Sequence, residues 1–165
     1  MEKRSQERVL PIEIYTDGSL KKIGTKTFGG WGFIAIKDNK EFYMNSGAEN
    51  DTTNQRMELT AILRALKYIQ TIRKKSEKVI IYSDSAYIIN CYLQEWYTKW
   101  QTNHWLTSKH QPVLNQDLWE EIIPFFDNFW YDFRKIPGHQ GNYWNERVDD
   151  LAQKQAELSK REWRG

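Results

Sequence analysis

Only one cysteine, Cys91, occurs in the 165 residues. That excludes an internal disulfide and any zinc site built on cysteines, and it fits a reducing, cytoplasmic compartment. Cys91 itself reads as a small buried hydrophobe. Long apolar runs are lacking too: stretches such as Val79-Ile80-Ile81-Tyr82 are a few residues long, against the ~20 needed to cross a bilayer. A soluble chain with no membrane contact is expected. Met1 to Arg8 is polar and charged with no apolar stretch behind it, which excludes a secretory signal. Charge of one sign is also missing. The 24 Lys and Arg against 22 Asp and Glu leave a net +2, so no global field points to nucleic acid. Nine scattered Gly without a period exclude collagen-like and repeat architectures. Aromatic residues, by contrast, are abundant at 15%, with eight Trp; together with near-neutrality they exclude disorder. The length suits one domain, set at residues 9–165 behind a short polar arm, 1–8.

Along the chain, Glu13 to Thr16 is a strand candidate that stops at the turn signal Asp17-Gly18-Ser19. Gly29 to Ile36 and Glu41 to Met44 flank Asp38-Asn39 as a hairpin, with a bulge expected at the glycines. From Thr52 the period changes. Leu59, Ile62, Leu63, Leu66 and Ile69 follow helical spacing, with Thr52 or Thr53 placed to cap the helix. Lys78 to Ser83 is a β-branched strand, buried on both faces by its composition, and it stops at Asp84-Ser85 before a helical stretch, Ala86 to Leu93. After a Trp- and Tyr-rich segment, Tyr92 to Leu114, a helix from Asn115 turns Leu118, Ile122 and Phe126 inward, with Pro124 bending or ending it. Tyr131 to Ile136 is a fifth strand, Pro137 to Asn142 a loop, and Val148, Leu151, Ala152 and Gln155 mark a last helix. The order βββαβααβα implies an α/β fold, a mixed sheet covered by helices.

An internal echo carries the chemistry. Ile14-Tyr15-Thr16-Asp17-Gly18-Ser19 and Ile81-Tyr82-Ser83-Asp84-Ser85 both read apolar, Tyr, hydroxyl, Asp, small. Ligands of open α/β sheets bind outside the carboxyl ends of strands where the order reverses. If the two strands are parallel neighbours about 4.8 Å apart, Asp17 and Asp84 sit side by side. Two carboxylates that close share a proton or a divalent cation; either one alone could merely cap a turn or a helix. Glu58 borders the buried stripe of its helix and points toward the sheet. Asp149 lies on the margin of the last helix's apolar face, whereas Asp150 falls toward solvent. Of the three histidines, His104 and His110 lack acidic neighbours, while His139 sits in a Pro-Gly-His-Gln-Gly loop that leads to Asp149.

Together these residues resemble type 1 ribonuclease H, over about residues 9–160. The resemblance rests on Asp17 in Tyr-Thr-Asp-Gly-Ser, Glu58 in Thr-Thr-Asn-Gln-Arg-Met-Glu-Leu, Asp84 in Tyr-Ser-Asp-Ser, His139 in its loop and Asp149 in Asn-Glu-Arg-Val-Asp. It implies a five-stranded mixed sheet of order 3-2-1-4-5, with strands 1–3 antiparallel. It further implies an endonuclease, acting as a monomer, that cleaves the RNA strand of an RNA–DNA hybrid to a 5′-phosphate and a 3′-hydroxyl. A competing reading is a hybrid- or double-stranded-RNA-binding module that kept the fold and lost catalysis; the complete acid set argues against it. Two Mg²⁺ ions, for which Mn²⁺ substitutes, would be held by Asp17 across both, by Glu58 and Asp84 on one, and by Asp149 on the other. His139 would assist proton transfer or product release, and Asn54 and Gln55 would read 2′-hydroxyls. Tyr92 to Leu114 matches the family's DNA-contacting basic handle, with Trp100 and Trp105 as candidate contacts, although Trp at such spacing more often packs than stacks on bases.

Two features depart from the family pattern. The handle is weakly charged, with Glu95 opposing Lys99 and Lys109, and Asp51 stands where Arg is usual beside a DNA-phosphate pocket. Thr53 and Asn115 remain as candidates for that pocket, and Lys21, Lys22, Lys26 and Arg134 as further phosphate contacts. The charge balance also reads differently: setting the four site acids aside leaves +6 on the rest of the molecule.

Overall fold

The computed structural model describes residues 9–136 and 142–163; the arm Met1 to Arg8 and the loop residue His139 lie outside it. Its elements are β1 (Ile12–Ile23), β2 (Lys26–Lys37), β3 (Lys40–Asn50), α1 (Asn54–Ile72), β4 (Val79–Ser83), α2 (Ala86–Gln94), α3 (Trp96–Thr102), α4 (Gln116–Phe126), β5 (Tyr131–Lys135) and α5 (Tyr143–Glu162). They form one five-stranded sheet of order 3-2-1-4-5, as expected. The first three strands pair antiparallel, and β4 joins β1 and β5 in parallel. Both hairpin turns follow from residues that tolerate positive φ. Gly24 adopts φ +59°, and Asp38 and Asn39 adopt 52° and 61°.

Alternation along β1 and β2 divides the interior into two layers. Ile12, Ile14, Phe33 and Ala35 face a large core shared with α1 to α4. Tyr15, Ile34 and Ile36 face a smaller one beneath Val148 of α5. Helix α1 starts where the sequence placed it: Thr53 Oγ1 accepts from the Arg56 amide at 3.1 Å. Asn142 caps α5 in the same way, accepting from Asn145 N at 2.9 Å.

Three expectations are corrected. The first strand does not stop at Asp17-Gly18-Ser19. Only its parallel pairing with β4 stops, at Tyr15 opposite Tyr82, while pairing with β2 carries on to Ile23 opposite Lys26. The continuing antiparallel ladder overrides the local turn preference. Secondly, the bulge lies at Ala35/Ile36, not at the glycines. Those glycines admit helices instead: a Cβ on Gly29 would meet Thr52 and Met57, and one on Gly30 would collide with the carbonyl of Ala152 in α5. Thirdly, the aromatic segment contains a further helix, α3, folded around buried Tyr97 and Trp100.

Candidate active site

Asp17 and Asp84 are brought together at the point where the sheet divides. β1 and β4 run in register up to Tyr15 and Tyr82, and Thr16 Oγ1 then donates to the Tyr82 carbonyl at 2.8 Å, tying the two strands at their last shared level. Beyond it β4 ends at Ser83 and Asp84 enters the turn before α2, which Ser85 caps by accepting from Ile88 N. Asp17 stays in the sheet, buried, with one carboxylate oxygen accepting from Gly18 N at 2.9 Å.

Glu58 arrives from α1 because Gly18 leaves room for it. A Cβ on Gly18 would lie 2.5 Å from Glu58 N and 2.6 Å from the Met57 carbonyl carbon. The first turn of α1 therefore rests directly on the backbone of β1. Asp149 arrives on α5, which lies against Gly30 and Gly32. It is half-buried, as expected, and holds Gln153 Nε2 at 2.8 Å; Asp150 beside it is exposed and pairs with Lys154. One oxygen from each of Asp17, Glu58 and Asp84 lies within 4.8 Å of the others, and Asp149 stands close enough to Asp17 to help hold its carboxyl up. Three of the four predicted acids thus form one cluster, with Asp149 beside it.

Three carboxylates this close cannot all remain ionised unaided. At an effective dielectric of ~20, each pair repels by roughly 3–4 kcal/mol. Burial raises Asp17 to about 8, and the charge of Asp84 and the contact with Asp149 push in the same direction. Burial raises Glu58 to about 10, helped by the charges of Asp17 and Asp84. Glu58 Oε1 is also buried without a hydrogen-bond partner among the described residues. A buried carboxylate oxygen without a donor is costly, and a divalent cation would resolve that cost and the repulsion together. The cluster offers hard carboxylate oxygens with no sulfur or imidazole among the described residues, a donor set suited to Mg²⁺ or Mn²⁺.

A family model described as RNase H matches residues 10–157. The chain belongs to the ribonuclease H family. The ribonuclease H of Moorella thermoacetica is 44% identical over 141 residues, covering 86% of this chain and 88% of that protein. That of Syntrophomonas wolfei is 45% identical over 143 residues, covering 86% and 92%. Among solved structures, LC9-RNase H1, a type 1 RNase H with the type 2 active-site motif, superposes with a TM-score of 0.71 at 23% identity, over 93% of this chain and 75% of that one. At that identity the likeness concerns the fold.

The remaining candidates are scattered around the acids. Thr53 and Asn54 are exposed at the start of α1, and Gln55 is half-buried there. Trp100 is buried against Trp105 and Trp119, with ring centres at 6.0 and 5.3 Å, so its ring packs in the core; Trp105 is half-buried. Of the four further bases, Lys26 pairs with Asp51 at 3.0 Å and Arg134 with Asp132 at 2.7 Å. Two residues escaped the sequence reading. Tyr87, 41% exposed, lines a 480 Å³ groove with Gln55 and Leu114. Its signal was weak, a lone Tyr three positions after Asp84. Arg56 lies inside the most specific motif and links α1 to α4 through Asn115 and Asp117.

Proposed function

We propose that this chain cleaves the RNA strand of RNA–DNA hybrids with two divalent cations, leaving 5′-phosphate and 3′-hydroxyl ends, and that it works as a monomer in the cytoplasm. The observation that carries the reading is the cluster of Asp17, Glu58 and Asp84, with Asp149 beside it and a buried Glu58 oxygen that lacks a partner among the described residues, in a chain of the ribonuclease H family. When bound, Mg²⁺ or Mn²⁺ ions supply a water activated for attack and charge stabilisation at the departing 3′ oxygen.

The protein's own residues do the rest. Asp17 in β1, Glu58 in α1, Asp84 at the end of β4 and Asp149 in α5 would hold the ions, with Asp17 central among them. Because each acid sits on a different element, packing fixes their spacing before any ligand arrives. Asn54 and Gln55 project from the first turn of α1 and are assigned to the 2′-hydroxyls that distinguish RNA from DNA. Thr53 and Asn115 are assigned to a phosphate of the DNA strand. Tyr87 presents a partly exposed ring to the groove, and half-buried Trp105 packs on Trp100. His139 is assigned to proton transfer or product release.

An end-labelled hybrid incubated with Mg²⁺ or with EDTA tests the reading. The expected result is cutting of the RNA strand in Mg²⁺ alone, with an RNA–RNA duplex left intact. Hybrid binding without Mg²⁺-dependent cutting would identify a binding module that kept the fold. Equal rates on the two duplexes would overturn the hybrid selectivity.

A further inference from the structure

Arg56 touches both candidates for the phosphate pocket, through different parts of itself. Its backbone N–H donates to Thr53 Oγ1 at 3.1 Å, and its Nη1 donates to Asn115 Oδ1 at 3.2 Å. A backbone amide and a guanidinium have only hydrogens to offer. Thr53 and Asn115 must therefore each turn an oxygen toward Arg56. The Thr53 hydroxyl hydrogen and the Asn115 amide hydrogens are left facing away, and no described residue accepts from either.

The charge of Arg56 is engaged elsewhere. Asp117 binds it in bidentate fashion, with Nη1 to Oδ1 at 3.0 Å and Nη2 to Oδ2 at 2.6 Å, and Glu49 approaches to 4.0 Å. Asn115 is held in the left-handed region, φ 63°, at the start of α4, so the guanidinium also spans the gap between two helices. Nearby, Asp51 is paired with Lys26. The surroundings thus offer neutral donors, with the neighbouring cations Arg56 and Lys26 paired to acids.

We propose that Arg56 is the positioning residue of the phosphate pocket: it orients Thr53 and Asn115 so that neutral donor hydrogens, and not its own charge, meet a phosphate oxygen of the DNA strand. The proposal rests on assigning Thr53 and Asn115 to that phosphate. Arg56→Gln keeps the backbone bond to Thr53 and removes the grip on Asn115, which isolates the second contact.

The test is steady-state cleavage of a hybrid in Mg²⁺ by Arg56→Gln, Asn115→Ala and the double variant. Losing one hydrogen bond to a charged group raises KM roughly tenfold in each single variant, the loss falling on KM more than on kcat. The double variant should be no worse than Asn115→Ala, because Arg56 acts through that amide. The KM change of Asn115→Ala should also persist at raised salt, since that variant removes no charge. Additive single effects, or a KM change in Asn115→Ala that fades with salt, would overturn the proposal. So would a lowered melting temperature with normal KM, the mark of a purely structural ion pair. A normal KM in Asn115→Ala would instead sink the pocket assignment on which the proposal stands. Asp117→Asn, which loosens the guanidinium without removing it, should raise KM in the same direction and serves if Arg56→Gln does not fold.

Discussion

Asp84 contributes charge more than packing, since it is exposed at the end of β4 while its partners Asp17 and Glu58 are buried. Asp84→Asn deletes one ligand charge and relieves the repulsion on both neighbours. Activity on a hybrid should fall by at least 100-fold, as for loss of an electrostatic catalytic group, while the melting temperature measured in EDTA holds or rises. Full activity in this variant would refute the assignment. The raised values of Asp17 and Glu58, about 8 and about 10, set a pH dependence whose sign can be worked out. With a folded value above the unfolded one, the native state binds more protons, so each acid costs nothing below about pH 4 and destabilises increasingly as pH rises toward the folded value. In EDTA, Asp17→Asn should therefore gain on the native chain in melting temperature as pH rises from about 4 to about 8. Saturating Mg²⁺ should close that gap, because binding displaces the protons. A difference independent of pH would contradict the raised Asp17.

At the level of elements, the spacing of the acids depends on positions that carry no side chain. Gly18 lets the first turn of α1 rest on β1, and Gly30 lets α5 rest on β2. Gly30→Ala should cost about 1–3 kcal/mol, the usual range for overpacking, because the Ala152 carbonyl beside it belongs to a helix backbone. Gly18→Ala should lower activity beyond its effect on stability, since the atom it displaces is the amide of Glu58 itself; denaturant melts alongside kcat separate the two. Equal, small losses in both quantities would show that α1 shifts without moving its carboxylate. The helices were legible in sequence from their periodicity and caps. Thr53, Leu59, Ile62 and Leu66 lie where the spacing put them. The end of β1 was not, because Asp-Gly-Ser is a strong local turn signal and nothing local shows that β2 pairs with it through Ile23. Helix α3 was hidden for a related reason: its aromatic-rich sequence has no distinctive period, and burial of Tyr97 and Trp100 organises it.

Across the whole molecule, charge is distributed unevenly: setting aside the four candidate site acids leaves +6 on the remainder. Some of the bases that could meet a hybrid are opposed by acids. The handle from Tyr92 to Leu114 carries Glu95 against Lys99 and Lys109, and Lys26 and Arg134 are engaged in ion pairs. Hybrid binding should accordingly depend weakly on salt. In Ca²⁺ or with Asp84→Asn, where cutting is suppressed, the slope of log affinity against log salt should be shallower than about −3, equivalent to roughly three neutralised phosphates. A slope steeper than about −6 would mean that many more phosphates are neutralised.

Sequence alone singled out the candidate residues and most of the elements that bear them. The Tyr, hydroxyl, Asp echo, the Thr-Thr-Asn-Gln-Arg-Met-Glu stretch and the apolar stripes are all local patterns, and local patterns specify helices, strands and their polar margins. Only the tertiary structure decided how those residues act on one another. The depth of Asp17 and Glu58, the unpartnered Glu58 oxygen, the bond from Arg56 to Asn115 fifty-nine positions away and the helix contacts at Gly18 and Gly30 all depend on packing between distant segments. Burial, repulsion and hydrogen-bond polarity are properties of such neighbours, and the linear order of residues does not contain them.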